Sequence, residues 1–141
     1  MTAQAKDVLT GTDVTVWLDG DEVGVWASLE ANVIMNYDDV NIGQDVDRKF
    51  LSFQGDGSLN YQATNSMTVE MFNKIKNDPD VRFTIEGELT RRSTGEKEAY
   101  SIPGVTFDSI PLATWSKNEI VSKEMSFRFP PSQIVTTSTI D

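Results

Sequence analysis

The chain has 141 residues with 12 basic and 22 acidic side chains, no histidine and no cysteine, for a formal net charge of −10. One domain of this length buries roughly two-thirds of the surface its unfolded chain exposes. The composition excludes disulfides and thiolate sites, removes the commonest general base and metal ligand, and argues against tight phosphate binding, which needs clustered Lys and Arg.

Residues 1–11 show no periodicity, lack the basic head and apolar middle of a secretory signal, and read as an N-terminal arm. Val14, Val16 and Leu18 alternate with Thr15 and Trp17, which predicts a first strand, and Asp19-Gly20 predicts a hairpin turn after it. Residues 23–37 then form the second arm. Val23, Val25, Ala27, Leu29, Ala31, Val33, Met35 and Tyr37 recur at every second position, which places one apolar row on one face of a strand. A strand of that length spans roughly 50 Å, against a usual length of about 5–6 residues. It exceeds what a small core needs and suggests a sheet continuing into neighbouring subunits, or a bent strand serving two sheets.

Residues 38–50 read as a long interaction loop carrying Asp38, Asp39, Asp45 and Asp47, then Arg48 and Lys49. Leu51 and Phe53 lead into a turn at Gly55-Asp56-Gly57, followed by a short strand through Leu59, Tyr61 and Ala63. The period then changes: Met67, Met71 and Ile75, with Phe72 beside them, define a helical stripe packed on the sheet, capped by Asn65 or Ser66 and stopped at Asn77-Asp78-Pro79. Val81, Phe83, Ile85 and Leu89 predict a strand, residues 91–97 a turn, and Tyr100 and Ile102 the next strand. Parity shifts at Pro103-Gly104, the mark of a bulge. Residues 111–120 form a connector with Leu112 and Trp115 over an edge of the core, and Val121, Met125, Phe127 and Phe129 predict a last strand ended by Pro130-Pro131. Residues 130–141 read as a polar, flexible C-terminal tail.

The fold class is therefore mainly β: one domain, 1–141, built as an antiparallel β-sandwich or barrel with one flanking α-helix. Chemistry is hard to place on it. Residues 19–30 mimic a calcium loop with Asp, Asp, Gly and Glu at the right spacing, but Val23 supplies no oxygen at the fifth position and the flanks are strands. The pairs Asp38-Asp39 and Asp45/Asp47 could serve glycoside hydrolysis but lack an aromatic platform. The serines have no histidine partner, and no phosphate-cradling loop precedes the helix. The residues point to no enzyme, no cofactor and no metal.

The ordered series Gly11-Thr12, Trp17-Leu18-Asp19-Gly20, the long strand, and Gly55-Asp56-Gly57-Ser58-Leu59 resembles the tail tube proteins of contractile phage tails. So do Gly104-Val105-Thr106-Phe107-Asp108, Leu112-Ala113, Trp115 and the closing strand. The nearest group is the core tail proteins of PBSX-type defective prophages and related phage-tail-like bacteriocins. The resemblance implies a long β-hairpin contributing to an intersubunit barrel, six copies per ring, and rings stacked into a hollow conduit for DNA or effectors. It implies partners in the tail sheath, baseplate and tail terminator, no membrane, and a place in the virion tail after synthesis in the bacterial host cytoplasm. In that frame the polar row, including Glu22, Glu30, Asn32 and Asn36, lines the channel, with Trp26 and Ile34 meeting a neighbour or the barrel's ends. Residues 38–50 reach the next ring. A non-enzymatic carbohydrate- or receptor-binding β-sandwich of a phage particle is the alternative reading, and a lipocalin-like or glycosidase enzyme a third.

Overall fold

A computed structural model of the chain describes residues 4–7 and 14–140. Within them lie β1 (Val14–Leu18), β2 (Asp21–Glu22), β3 (Val25–Ile42), β4 (Asp45–Gln62), α1 (Met67–Asn77), β5 (Phe83–Thr90), β6 (Lys97–Phe107), β7 (Ser122–Phe129) and β8 (Val135–Ser138). All pairings are antiparallel, in the order β2-β1-β5-β6-β7-β4-β3, with β8 added alongside β6. The predicted mainly-β fold with one helix is what the chain adopts. Of the N-terminal arm, the structure describes residues 4–7, with a short 3-10 turn at Ala5–Asp7, and residues 1–3 and 8–11 lie outside the described residues.

The core sits where β3, β4 and β7 pack against β1, β5 and β6. Val16, Leu59, Phe83, Ile85, Ile102, Val105, Met125 and Phe127 are completely or almost completely enclosed there, each contributing roughly 1.5–3 kcal/mol by leaving water. β7 shows the cause most plainly: its residues alternate between exposed and buried over their whole length, as a strand with one wet face must. Met71 is buried and Met67 and Ile75 pack on the core, so the predicted helical stripe holds the sheet. Asn65 Oδ1 accepts the Met67 N–H at 3.1 Å at the helix start.

Several expectations need correcting. The long strand is not the second arm of the Asp19-Gly20 hairpin: β2 is, and only Trp17↔Glu22 and Leu18↔Asp21 pair across it. Val23 then buries itself with its N–H on the Val16 carbonyl, and the chain bends at Gly24 (φ 33°) and Trp26 (φ 53°) before β3 settles into register. The apolar row therefore breaks at the bend instead of running unbroken from Val23. Residues 38–50 are not a loop. β3 continues through Asp38 to Ile42, turns at Gly43-Gln44, and returns as β4, with Asp38 opposite Lys49 and Asp39 opposite Arg48. Opposite charges facing across the pair stabilise strands that a hydropathy reading discounts.

Gly55-Asp56-Gly57 is strand, not turn. The two glycines leave room for rings on β7: a Cβ on Gly55 would lie 2.6 Å from Phe129, and one on Gly57 would lie 2.6 Å from Phe127 and 2.1 Å from the Glu30 carbonyl. Phe72 lies off the buried stripe, and Leu112 and Trp115 are exposed rather than covering an edge, while Ile110 packs on the core. Residues 130–141 are not simply a tail, since Pro131–Gln133 forms a 3-10 turn and β8 pairs Tyr100 with Thr136 and Ser101 with Val135. The bulge at Pro103-Gly104 is present, as a register shift opposite Phe83 and Ile85.

Candidate functional site

The long hairpin dominates the surface. β3 and β4 are each 18 residues long, about three times the usual strand. β7 supports β4 only from Gly55 to Gln62. Beyond that point residues 34–42 and 45–54 pair with nothing but each other among the described residues, and every side chain from 37 to 54 is exposed. At roughly 3.4 Å per residue this two-stranded ribbon projects about 30 Å past the supported sheet. A lone ribbon of this kind is marginally stable in water, and both of its edges carry unpaired backbone groups.

Register assigns its two faces, because directly opposite residues share a side. One face joins Ser28, Asn60 and Glu124; Glu30, Ser58 and Ser126; Asn32, Asp56 and Arg128; Ile34 and Gln54; and Asn36 and Ser52. It is almost entirely hydroxyls and amides, with Glu30, Asp56, Glu124 and Arg128 the charges and Ile34 the one large apolar group. None of these side chains is buried. Asn32 Nδ2 donates to Glu30 Oε1 at 3.1 Å, and Asn36 Nδ2 to Ser52 Oγ at 3.2 Å.

The opposite face starts in the core with Leu29, Leu59 and Met125 and runs outward through Val33, Met35 and Phe53. A bulge at Leu51 follows, then Tyr37 opposite Phe50. The Phe50 ring centroid lies 4.7 Å from Phe53 and 5.9 Å from Tyr37, and the Arg48 guanidinium sits 4.0 Å above the Tyr37 ring. These groups remain open to solvent, Met35 at 50% and Phe53 at 54%. At its root the face borders a hollow of about 430 Å³ lined by Leu29, Ala31, Val33, Tyr100, Ile102 and Phe129, among others. There the Tyr100 hydroxyl donates to the Glu98 carboxylate. That bond, then burial, then the carboxylate's charge, raises the Tyr100 pKa above its usual 10.0.

Of the predicted channel residues, Glu30, Asn32 and Asn36 fall together on the polar face, whereas Glu22 sits on β2 at the far end of the strand order. The bend at Trp26 separates the two. Asp38, Asp39, Asp45, Asp47, Arg48 and Lys49 all lie on the outer ribbon, on alternating faces. Sequence reasoning missed the polar residues that β4 and β7 add. The signal was there: Ser52, Gln54, Asp56, Ser58, Asn60 and Gln62 occupy consecutive even positions, an unbroken polar row obscured by reading the glycines as a turn. Among the described residues no cluster could hold a metal ion, and no helix is long and apolar enough to cross a membrane.

Comparison with known proteins matches this architecture. The chain is 28% identical over 134 residues to the phage-like element PBSX protein XkdM of Bacillus subtilis (strain 168), covering 92% of this chain and 91% of that protein. It is 28% identical over 146 residues to the uncharacterized protein YqbM of the same strain, covering 97% and 99%. Among solved structures, the tube-terminating cap of the anti-feeding prophage superposes with a TM-score of 0.75 at 12% identity, covering 99% of this chain and 95% of that one. A chain of the sheath–tube complex of an extracellular contractile injection system superposes at 0.67 and 11% identity, covering 96% and 95%. Those structures share the fold. The phage tail tube protein family profile matches residues 1–134, and the chain belongs to that family, a structural component of a phage-tail particle.

Proposed function

We propose that the chain is the subunit of the inner tube of a contractile tail or tail-like particle. Copies join side by side into rings, six per ring, and the rings stack into a hollow conduit. The observation that carries this reading is the ribbon: unpaired on both edges among the described residues, apolar on one face and polar on the other. Neighbouring copies would complete its backbone hydrogen bonds and close the sheet into a barrel, which abolishes exposed edges. The apolar face of Val33, Met35, Tyr37, Phe50 and Phe53 turns outward against neighbouring bodies, and the face of Glu30, Asn32, Asn36, Ser52, Gln54 and Asp56 turns to the lumen.

A lumen of amides, hydroxyls and a few acids keeps a bound water layer and repels phosphates within a Debye length of about 8 Å, so DNA or a polar effector slides without adhering. The outer ribbon, with Asp38, Asp39, Asp45, Asp47, Arg48 and Lys49, contacts the next ring. Sheath, baseplate and terminator are the expected partners. Electron microscopy of the purified, concentrated protein tests the proposal. Rings or cylinders with a central pore are expected, and a monodisperse monomer at every concentration would refute it.

A further inference from the structure

A second feature lies where the ribbon leaves the body. Beside the point at which β7 ends and the free edge of β4 begins is a cleft of about 610 Å³. Its lining includes the apolar Phe53, Phe129, Pro130 and Pro131 and the guanidinium-bearing Arg82 and Arg128. Gly55 and Gly104 also line it, and a Cβ on Gly104 would lie 3.1 Å from the Pro130 ring. Arg82 meets no carboxylate among the described residues. Arg128 has Asp108, 3.8 Å away and largely solvated, and Asp56 stands opposite it across the strands.

The ribbon tip has the complementary character. Asp45 lies opposite Ile42 and Asp47 opposite Val40, so neither acid faces a base. Val46 and Ile42 are exposed beside them, at 65% and 60%. Both acids precede the Arg48-Lys49 pair that Asp39 and Asp38 already balance. The tip is thus an acidic, apolar wedge and the cleft a basic, apolar slot.

We infer that the Asp45-Val46-Asp47 tip of one copy docks in the Arg82/Arg128 cleft of a copy in the adjoining ring. The tip cannot fill its own cleft, because the ribbon holds the two about 30 Å apart along the strand direction. A contact between two different patches displaced along one axis is heterologous, and repeating it extends a stack rather than closing a dimer. The aspartates desolvate against guanidiniums, which bind carboxylates in a planar fork, while Val46 and Ile42 meet Phe53, Phe129 and the prolines. This inference rests on the tube reading and names the receiving surface for the outer ribbon.

Charge reversal tests it. Asp45→Lys/Asp47→Lys alone, and Arg82→Glu/Arg128→Glu alone, are expected to form rings that elongate at least tenfold less than wild type. Mixing the two populations is expected to restore co-assembly through the reversed pair. Because the chain has no native cysteine, Asp47→Cys in one tagged population and Arg82→Cys in another should yield a disulfide between the two tags on assembly. Tubes assembled from the two cysteine-bearing populations with no such cross-link, or normal elongation by either reversed variant alone, would overturn the docking while leaving the tube intact. That result would also follow if the cleft took another tail protein. A wild-type chain that forms neither rings nor tubes would remove the tube reading itself.

Discussion

Lys123 lies on the buried side of β7 at 6% exposure, with its Nζ donating to Thr68 Oγ1 at 2.8 Å and no ion pair among the described residues. Thr68 is in the first turn of α1 and fully buried, so this bond ties the helix to the sheet. An enclosed ammonium stripped of its acceptor is costly, whereas removing donor and acceptor together is nearly neutral. Thr68→Val should therefore destabilise the monomer by about 2–3 kcal/mol, and Thr68→Val/Lys123→Met should return to within about 1 kcal/mol of wild type. Urea unfolding of the two variants measures both, and a double variant as unstable as the single one would contradict the account. Lys123 is no part of the apolar pattern Val121, Met125, Phe127 and Phe129 that predicts this strand. Its position nevertheless shares the parity of Met125, Phe127 and Phe129, the residues that fix the buried face.

At the scale of the element, the ribbon separates folding from assembly. Residues 38–49 pair only with one another among the described residues, with Arg48 stacked on Tyr37, and Tyr37 faces Phe50 directly, so a two-residue Asn-Gly turn can join them. That replacement should change the unfolding free energy by no more than about 1 kcal/mol, the scale of a loop-length change. It should also abolish tubes, as sedimentation and electron microscopy would show. A large loss of monomer stability would mean the ribbon belongs to the core after all.

Much of this element was legible, and the reasons for the failures are physical. Period-two patterning gave β3 its extended character, but acids on both faces of residues 38–47 hid its continuation. Those acids sit on a ribbon with no dry side within the monomer, so no amphipathic signal marks it. The bend at Trp26 was invisible because a bulky residue is disfavoured at positive φ, so its residue type gives no sign of the conformation it adopts. β8 was missed for a related reason: all four of its residues are exposed, so its hydrogen bonds to β6 leave no hydrophobic trace. The polar face was legible on β3 as Glu30, Asn32 and Asn36, and equally legible on β4 once its two glycines are recognised as clearance for the β7 rings.

For the whole molecule, the compact body and the projecting ribbon should respond differently to concentration. Amide hydrogens of residues 34–42 and 45–54 are sheltered in the free chain only by pairing within a lone two-stranded ribbon and should exchange rapidly there. On assembly their exchange should slow by at least about tenfold, roughly 1.4 kcal/mol of local opening energy, while core amides of β5 and β7 change little. Hydrogen exchange read by mass spectrometry on free and assembled protein would check this. Uniform protection in the free chain would show that the ribbon is satisfied without neighbours. Assembly should likewise raise the apparent melting temperature as protein concentration rises.

The ribbon's isolation also governs how a polymer begins. The first few copies to meet must immobilise flexible, half-supported strands before any closed circle rewards them, whereas a copy arriving at a finished rim finds a template already in place. Initiation is then slow and lengthening fast, and a pool of free chains can persist in supersaturation, guarded by the aspartates at the tip, until a seed appears. Control over when and where such a structure grows accordingly falls to whatever supplies that seed.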